Sequence, residues 1–192
     1  MRPPPIRYEV IEEQSFGSFK ETVRTLYLAA FAKAPHFVNE EKSHSFISNY
    51  DEWTKKPGFQ LLIAYSENTP VGFCFGWSSV KKDYWYEKFI AAEPALESVL
   101  MDCFELVDIG VSPSAQGMGV GKQLMKEITT STPHKNLLLI VAPNNLEAKS
   151  LYLRMGWKIE TERLHVTDSD YRIVMSFIKV NSQNPAELPR RC

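Results

Sequence analysis

The chain has 192 residues, 44% of them hydrophobic, 12% aromatic and 23% charged, which is the composition of a globular domain with a sizeable core. A formal net charge of −1 and a pI near 6.4 give no electrostatic footprint for nucleic acid or for an anionic membrane. No apolar stretch is long enough to span a bilayer, and none follows Met1-Arg2-Pro3-Pro4-Pro5, so neither membrane insertion nor export is expected.

In chain order, residues 6–10 read as a short first strand. Phe19, Val23, Leu26, Tyr27, Ala30 and Phe31 recur at helical spacing over residues 16–34, and Pro35 ends that run. A second helix opens at Asn39 as N-cap, with Glu40 and Glu41 in the first turn where the helix dipole favours them. Pro57-Gly58 breaks the chain. Residues 59–65 and 71–77 are apolar and β-rich and form an antiparallel hairpin around the turn at 66–70.

Residues 81–101 interrupt the pattern. Asp83 caps a helix that buries Trp85, Phe89 and Ala92 and stops near Pro94, and a shorter helix follows through Leu96, Val99 and Leu100. With Tyr84, Trp85 and Tyr86 at its start, this arm suits the wall of a ligand pocket. It suits a dimer contact or a satellite core cluster equally well.

Residues 104–111 form a third long strand. The next helix buries Val120, Leu124, Met125 and Ile128, and residues 136–141 are apolar throughout, the mark of a strand covered on both faces. A helix from Asn145 buries Ala148, Leu151, Tyr152 and Met155 and stops at Gly156. Strand, helix, strand and helix in this order imply parallel neighbours with a right-handed crossover. Residues 157–164 and 171–180 make a last hairpin around 167–170. Residues 181–192 turn polar and proline-containing and read as a frayed tail. One domain over residues 1–180, with the arm at 81–101 inserted, accounts for the chain.

Cys74, Cys103 and Cys192 are odd in number and widely scattered, which points to free thiols in a reducing, cytoplasmic setting. The four histidines, His36, His44, His134 and His165, form no metal-ligand spacing, and no metal is expected.

The stretch from Val107 to Lys122 carries the chemistry. A buried strand runs through Ser112-Pro113 into a loop containing Gly117, Gly119 and Gly121 that opens directly into a helix. Backbone N–H groups without partners at the positive end of a helix make an anion site suited to phosphate. A P-loop would need Gly at 116 and Ser or Thr at 123, where the chain has Gln116 and Gln123. The dinucleotide fingerprint would need Gly at 122, where it has Lys122. What remains is Gln-x-x-Gly-x-Gly from Gln116 to Gly121, which resembles the acetyl-CoA pyrophosphate loop of the GNAT superfamily of N-acetyltransferases. A plain strand-to-helix turn using Gly for tight packing is the alternative.

A second motif is similar to the same family. Asn145, Ala148, Leu151, Tyr152, Gly156 and Trp157 read N-x-x-A-x-x-L-Y-x-x-x-G-[FW], in the right order and at the expected separation from the loop. The resemblance covers residues 59–179, and the arm at 81–101 departs from the minimal pattern. It implies an α/β (α+β mixed-sheet) single domain: a mostly antiparallel sheet of six to seven strands, parallel and splayed at its central pair and flanked by helices. It also implies transfer of acetyl from acetyl-CoA to a primary amine of a small molecule or peptide, by direct attack in a ternary complex, with Cys74 and Cys103 dispensable.

Such a transfer needs a base, because an alkylamine with pKa near ~10 is mostly protonated at neutral pH. It also needs N–H donors for the oxyanion and a proton donor for the CoA thiolate. Glu105 and Asp108 are the candidate bases. In a regular strand they face opposite ways, and a bulge between them would bring both to one side. By position Glu105 matches the general base of protein-acetylating relatives, and Asp108 matches an active-site Asp of some aminoglycoside-acetylating ones; Glu105 is slightly preferred. Tyr152 falls where the family keeps its general acid. The resemblance assigns Ile109, Gly110 and Val111 to the pantetheine arm, with the backbone of Ile109 and Val111 pairing to its amides. The N–H groups of Met118, Gly119, Val120, Gly121 and Lys122 fall to the pyrophosphate, with Gly117 in the turn and Gln116 ordering the loop. Asn145 both caps its helix and touches pantetheine.

Rival readings are a non-catalytic acyl-CoA-binding module of the same fold and an unrelated α/β nucleotide-binding protein. A longer acyl group is disfavoured by Trp77 and Trp85. The acceptor depends on the loop at His36 and Phe37, the arm at Tyr84–Tyr86 and the hairpin near Asp168 and Asp170; the acidic pI leans towards a cationic amine. A homodimer is left open.

Overall fold

In a computed structural model, which describes residues 4–167 and 170–179, the chain forms one seven-stranded sheet with helices on both faces. The strands are β1 (Ile6–Val10), β2 (Gln60–Ser66), β3 (Thr69–Ser78), β4 (Cys103–Val111), β5 (Asn136–Val141), β6 (Lys158–Thr167) and β7 (Asp170–Ile178). Their order is β1-β2-β3-β4-β5-β7-β6. Every neighbouring pair is antiparallel except β4 and β5.

That parallel pair is short. Only Cys103, Phe104 and Glu105 register with Asn136, Leu137 and Leu138, and beyond them the two strands part, leaving a V-shaped gap in the middle of the sheet. Asp102 ties the closed end of the V. Its carbonyl accepts from Asn136 N at 3.0 Å, and its carboxylate accepts from Lys135 N at 3.2 Å and contacts His134 Nδ1 at 2.7 Å. His134 Nε2 in turn meets Ser78 Oγ at 2.8 Å. These three side chains have the order of a nucleophilic relay. However, the N–H groups of Ser78 and Ser79 are donated to Pro57 O and Cys103 O, so neither is free to serve as an oxyanion donor. The chain of bonds staples β3, β4 and β5 where the V closes.

One sheet face carries α1 (Lys20–Phe31), α2 (Glu40–Ile47) and the single-turn α3 (Tyr50–Trp53) over β1–β4. The arm, α4 (Tyr84–Ala92) and α5 (Glu97–Leu100), covers the β5 side. On the opposite face lie α6 (Val120–Ser131), whose buried Val120, Leu124, Met125 and Ile128 are those expected, and α7 (Leu146–Arg154).

Several local expectations are corrected. The first helix begins at Lys20 rather than residue 16, because Glu13–Phe19, with two serines and Gly17, winds as a 3-10 segment. The arm buries Tyr86 and Phe89, while Trp85 and Ala92 stay half-buried. Together with Leu96, Leu100 and Cys103 it packs on Leu138, Leu164 and Val174, making it a satellite core cluster. On α7 only Tyr152 is buried, because Ala148 and Leu151 face the cleft. Cys74 and Cys103 are buried free thiols, both pushed up in pKa by burial. Among the described residues no helix is long and apolar enough to cross a membrane. Asp168, Cys192 and the tail at 181–192 lie outside the described residues.

Candidate active site

The gap between β4 and β5 opens into a cleft of about 590 Å³. Its walls come from α1, from the loop holding Lys33 and His36, from β4 and β5, from the glycine loop and from α7.

The glycine loop adopts backbone that side-chain-bearing residues resist. Gly117 and Gly119 sit at φ 77° and 81°, and open space faces both. Gly119 is the N-cap of α6, which has neither a side-chain cap nor an acidic residue in its first turn. The other α-helices have at least one of these: Asn39 caps α2, Asp83 caps α4, Asn145 caps α7, and α1, α3 and α5 begin with Glu21, Asp51 and Glu97. The positive end of α6, with the N–H groups of Val120, Gly121 and Lys122, therefore has neither a side-chain cap nor a first-turn carboxylate to offset it. Gln116 reaches back from this loop, its Nε2 donating to Val111 O at 3.0 Å. Met118 is exposed on the loop surface.

Along β4, Ser112 N donates to Val71 O across β3. Alternation of hydrogen-bonding direction then turns the backbone of Val111 and Ile109 into the gap and that of Gly110 towards β3. The Ile109 N–H is taken by Asp108 Oδ1 at 2.8 Å and the Val111 carbonyl by Gln116, so the Val111 N–H is the strand's donor into the cleft. Gly110 has a packing role as well. A Cβ there would lie 2.6 Å from Phe73 Cε1 and 3.0 Å from Ala30 Cβ, so its absence lets α1 close on β4.

The strand register answers how Glu105 and Asp108 are oriented. Trp77 pairs with Glu105 and Phe75 with Asp108, but Gly76 pairs with Leu106, leaving Val107 as the extra residue of a β-bulge. Glu105 and Asp108 consequently share the face that carries α1 and the arm, roughly 7 Å apart, the span of two residues on the partner strand. They enter different surroundings.

Asp108 lines the main cleft with Tyr152, Tyr27 and Arg172. Burial pushes its carboxyl up to about 7, against the partial lowering by the Ile109 N–H. Tyr27 is pushed up to about 12 by burial and by the charge of Asp108. Tyr152 is raised by burial and then by Asp108 and Cys74, so its phenol keeps its proton throughout the neutral range. Glu105 is 8% exposed and lines a smaller chamber of about 80 Å³ with Trp77, Trp85 and Phe89. Its carboxyl is also raised by burial, with the nearby Ser79 hydroxyl opposing.

Asn145 Oδ1 accepts from Ala148 N at 3.2 Å, capping α7, while its Nδ2 lies 3.1 Å from His36 Nε2 at the cleft edge. His36 is held below its ordinary pKa by burial and by Arg172. Tyr27 and Arg172 escaped the sequence reasoning as site residues, because Tyr27 reads as one more apolar position on a helical stripe and Arg172 as one polar position in a strand.

Comparison with known proteins agrees with this architecture. A chain of the GNAT family from Desulfovibrio desulfuricans superposes with a TM-score of 0.66 at 14% identity, covering 91% of this chain and 99% of that one. YncA from Salmonella typhimurium, solved with acetyl-CoA, gives 0.57 at 12% identity over 94% of this chain and 98% of that one. A curated relative, the 5-NmdU N-acetyltransferase of Pseudomonas phage PaMx11, is 41% identical over 56 residues, 29% of this chain and 40% of the relative's length. Residues 21–157, most of the chain, match the acetyltransferase (GNAT) family, and the chain belongs to that family.

Proposed function

We propose that this protein is an acetyl-CoA-dependent N-acetyltransferase that acetylates a primary amine by direct attack in a ternary complex. The observation that carries the reading is convergence in one cleft. The uncapped start of α6, the turned-out backbone of β4, a carboxyl titrating at about 7 and a protonated buried tyrosine all line it. The acetyl-CoA bound to YncA and the activity of the phage relative support the same donor and an amine acceptor.

In this scheme the α6 N-terminus and its glycine loop take the pyrophosphate, and β4 pairs with pantetheine chiefly through the Val111 N–H. Asp108 is the base, which reverses the slight preference for Glu105 drawn from motif position. It lines the same cleft as Tyr152, and a base with pKa near operating pH has the best compromise between being ionised and being basic. Asp108 takes the ammonium proton and the free amine attacks the thioester carbonyl. As the tetrahedral intermediate collapses, the C–S bond breaks, the nitrogen gives up its second proton, and that proton ends on the departing thiolate to leave the amide and CoA thiol. Tyr152 donates to that thiolate. Because its phenol is raised above a thiol's pKa of ~8.5, its contribution is a hydrogen bond to developing charge as much as a proton.

Thermal unfolding with acetyl-CoA, ATP and NAD tests the donor. At about a hundred times Kd a ligand adds about 2.7 kcal/mol, or roughly 5–10 °C for a domain of this size. A shift with acetyl-CoA alone, followed by amine-dependent release of CoA thiol, is the expected result. No shift with acetyl-CoA, or a larger one with ATP or NAD, overturns the reading. Binding without turnover of any amine would make the protein an acyl-CoA-binding module.

A further inference from the structure

The two cavities are neighbours. Leu106, Val107, Leu139 and Ile140 line both, so the chamber at Glu105 adjoins the main cleft through the gap between β4 and β5. The mechanism assigned to the main cleft uses Asp108 and Tyr152 and leaves Glu105 without a task.

The chamber has a definite chemistry. Trp77, Trp85, Phe89, Leu138 and Ile140 give it an apolar, partly aromatic wall, and among the described residues Glu105 is the single charged one lining it. No cation pairs with that carboxylate among the described residues. The nearest candidate, Lys56, is held by Asp83 at 2.5 Å, with its Nζ 5.9 Å from the Trp77 ring centre. Neutral donors, the Ser79 hydroxyl and the Trp77 indole, are near the Glu105 carboxyl, but among the described residues no cation is paired with it. A buried carboxylate without a counter-charge is costly, and a wall of indole rings beside it is the surrounding that an alkylammonium prefers. At about 80 Å³ the chamber is roughly half the size of the engineered 150 Å³ cavity that takes benzene, so it suits a linear chain end rather than a ring.

We propose that the Glu105 chamber is a second ammonium subsite, and that the acceptor is a short linear diamine with one amine at Asp108 and the other at Glu105. This rests on the acetyltransferase reading above. Because of the bulge at Val107, the two carboxylates rise from one face of β4 about 7 Å apart and then diverge into separate chambers. At about 1.2 Å per extended bond, roughly six to eight bonds span 7–10 Å between the nitrogens, the length of a pentane to heptane diamine. Trp85 and Phe89 come from the inserted arm, which thereby selects the acceptor. Glu105 is a specificity residue in this scheme and does not touch the reacting nitrogen.

The test compares α,ω-diaminoalkanes of about three to nine carbons with n-alkylamines of equal length, by CoA release from acetyl-CoA and by calorimetric titration without acetyl-CoA. Diamines of intermediate length should exceed the matching monoamines by roughly tenfold or more in kcat/KM, as expected for one charge-assisted contact. In Glu105→Gln that ratio should fall to near one, chiefly through KM for the diamine, and Trp85→Leu should reduce it in part. Equal turnover of diamines and monoamines by the wild type overturns the subsite. An equal kcat loss for both classes in Glu105→Gln also overturns it and makes Glu105 the base. The titrations separate the two readings. A diamine that binds through Glu105 without turnover keeps the subsite and sinks the catalytic assignment, whereas active protein with no diamine preference does the reverse.

Discussion

Replacing Asp108 by Asn should make the protein more stable and nearly inactive, and the stability gain should depend on pH in a way no packing effect reproduces. The carboxyl titrates at about 7 in the folded protein and near its ordinary 3.8 when unfolded. A carboxyl raised by folding binds more protons in the native state, so it costs nothing below pH ~4, costs progressively more between ~4 and ~7, and reaches its full penalty above that. About three pH units at 1.36 kcal/mol each give about 4 kcal/mol. Asp108 borders an open cleft whose water eases the burden, so about 2 kcal/mol is the working figure. Asn is nearly isosteric and cannot ionise, so its stability advantage over the wild type should grow by about that amount from pH 4 to pH 8. Urea unfolding of both proteins across this range measures it, and the other titrating groups largely cancel in the difference. Over the same range wild-type kcat/KM should rise with an inflection at about 7, while Asp108→Asn loses roughly 10²–10⁴-fold and the inflection with it. A stability difference that stays flat to within ~0.5 kcal/mol would mean that Asp108 titrates normally, and the argument for it as base would fall.

Tyr152→Phe should lower kcat by roughly 10- to 100-fold with acetyl-CoA affinity nearly unchanged, since it deletes a hydroxyl and keeps the ring; titration calorimetry beside steady-state rates separates the two. Gly110→Ala places a methyl group 2.6 Å from Phe73, which is fully buried and cannot yield, so a loss of roughly 1–3 kcal/mol is expected on thermal unfolding; wild-type stability would mean that α1 shifts freely on β4.

What the sequence made legible is what local chemistry dictates. Only glycine adopts φ 77° and 81° without strain, so Gly117 and Gly119 declared the loop, and a short polar side chain at Asn145 declared a cap that the structure contains. The strands, their hairpins and the buried stripe of α6 follow from periodicity alone. Less was legible wherever the answer depended on a partner distant in sequence. The face of the arm is one such case. Trp85, Tyr86 and Phe89 are all large and aromatic, and the choice of Tyr86 and Phe89 for burial is made by Leu138, Leu164 and Val174. The tie from Ser78 through His134 to Asp102 joins positions 56 and 32 residues apart, and no motif announces it.

The bulge at Val107 is the most consequential feature that the residues of β4 do not themselves announce; only the family resemblance raised it. Nothing in the sequence from Glu105 to Asp108 distinguishes a bulged strand from a regular one: the segment has no glycine or proline, and the alternation rule puts the two carboxylates on opposite faces. The register is decided across the ladder, where Gly76 takes the position opposite Leu106. A Cβ at Gly76 would lie 2.2 Å from Glu105 O and 2.6 Å from Phe104 Cε1, so the close approach of β3 and β4 here requires a glycine on the partner strand. The glycine that permits the bulge thus stands about thirty residues before it. It brings both carboxylates to the face between α1 and the arm, and the gap between β4 and β5 then sends one into the cleft with Tyr152 and the other beneath Trp85. Two acids that parity would have separated are left on one side of one strand with different surroundings. That difference in surroundings is the ground on which one is proposed as a base and the other as a recognition group.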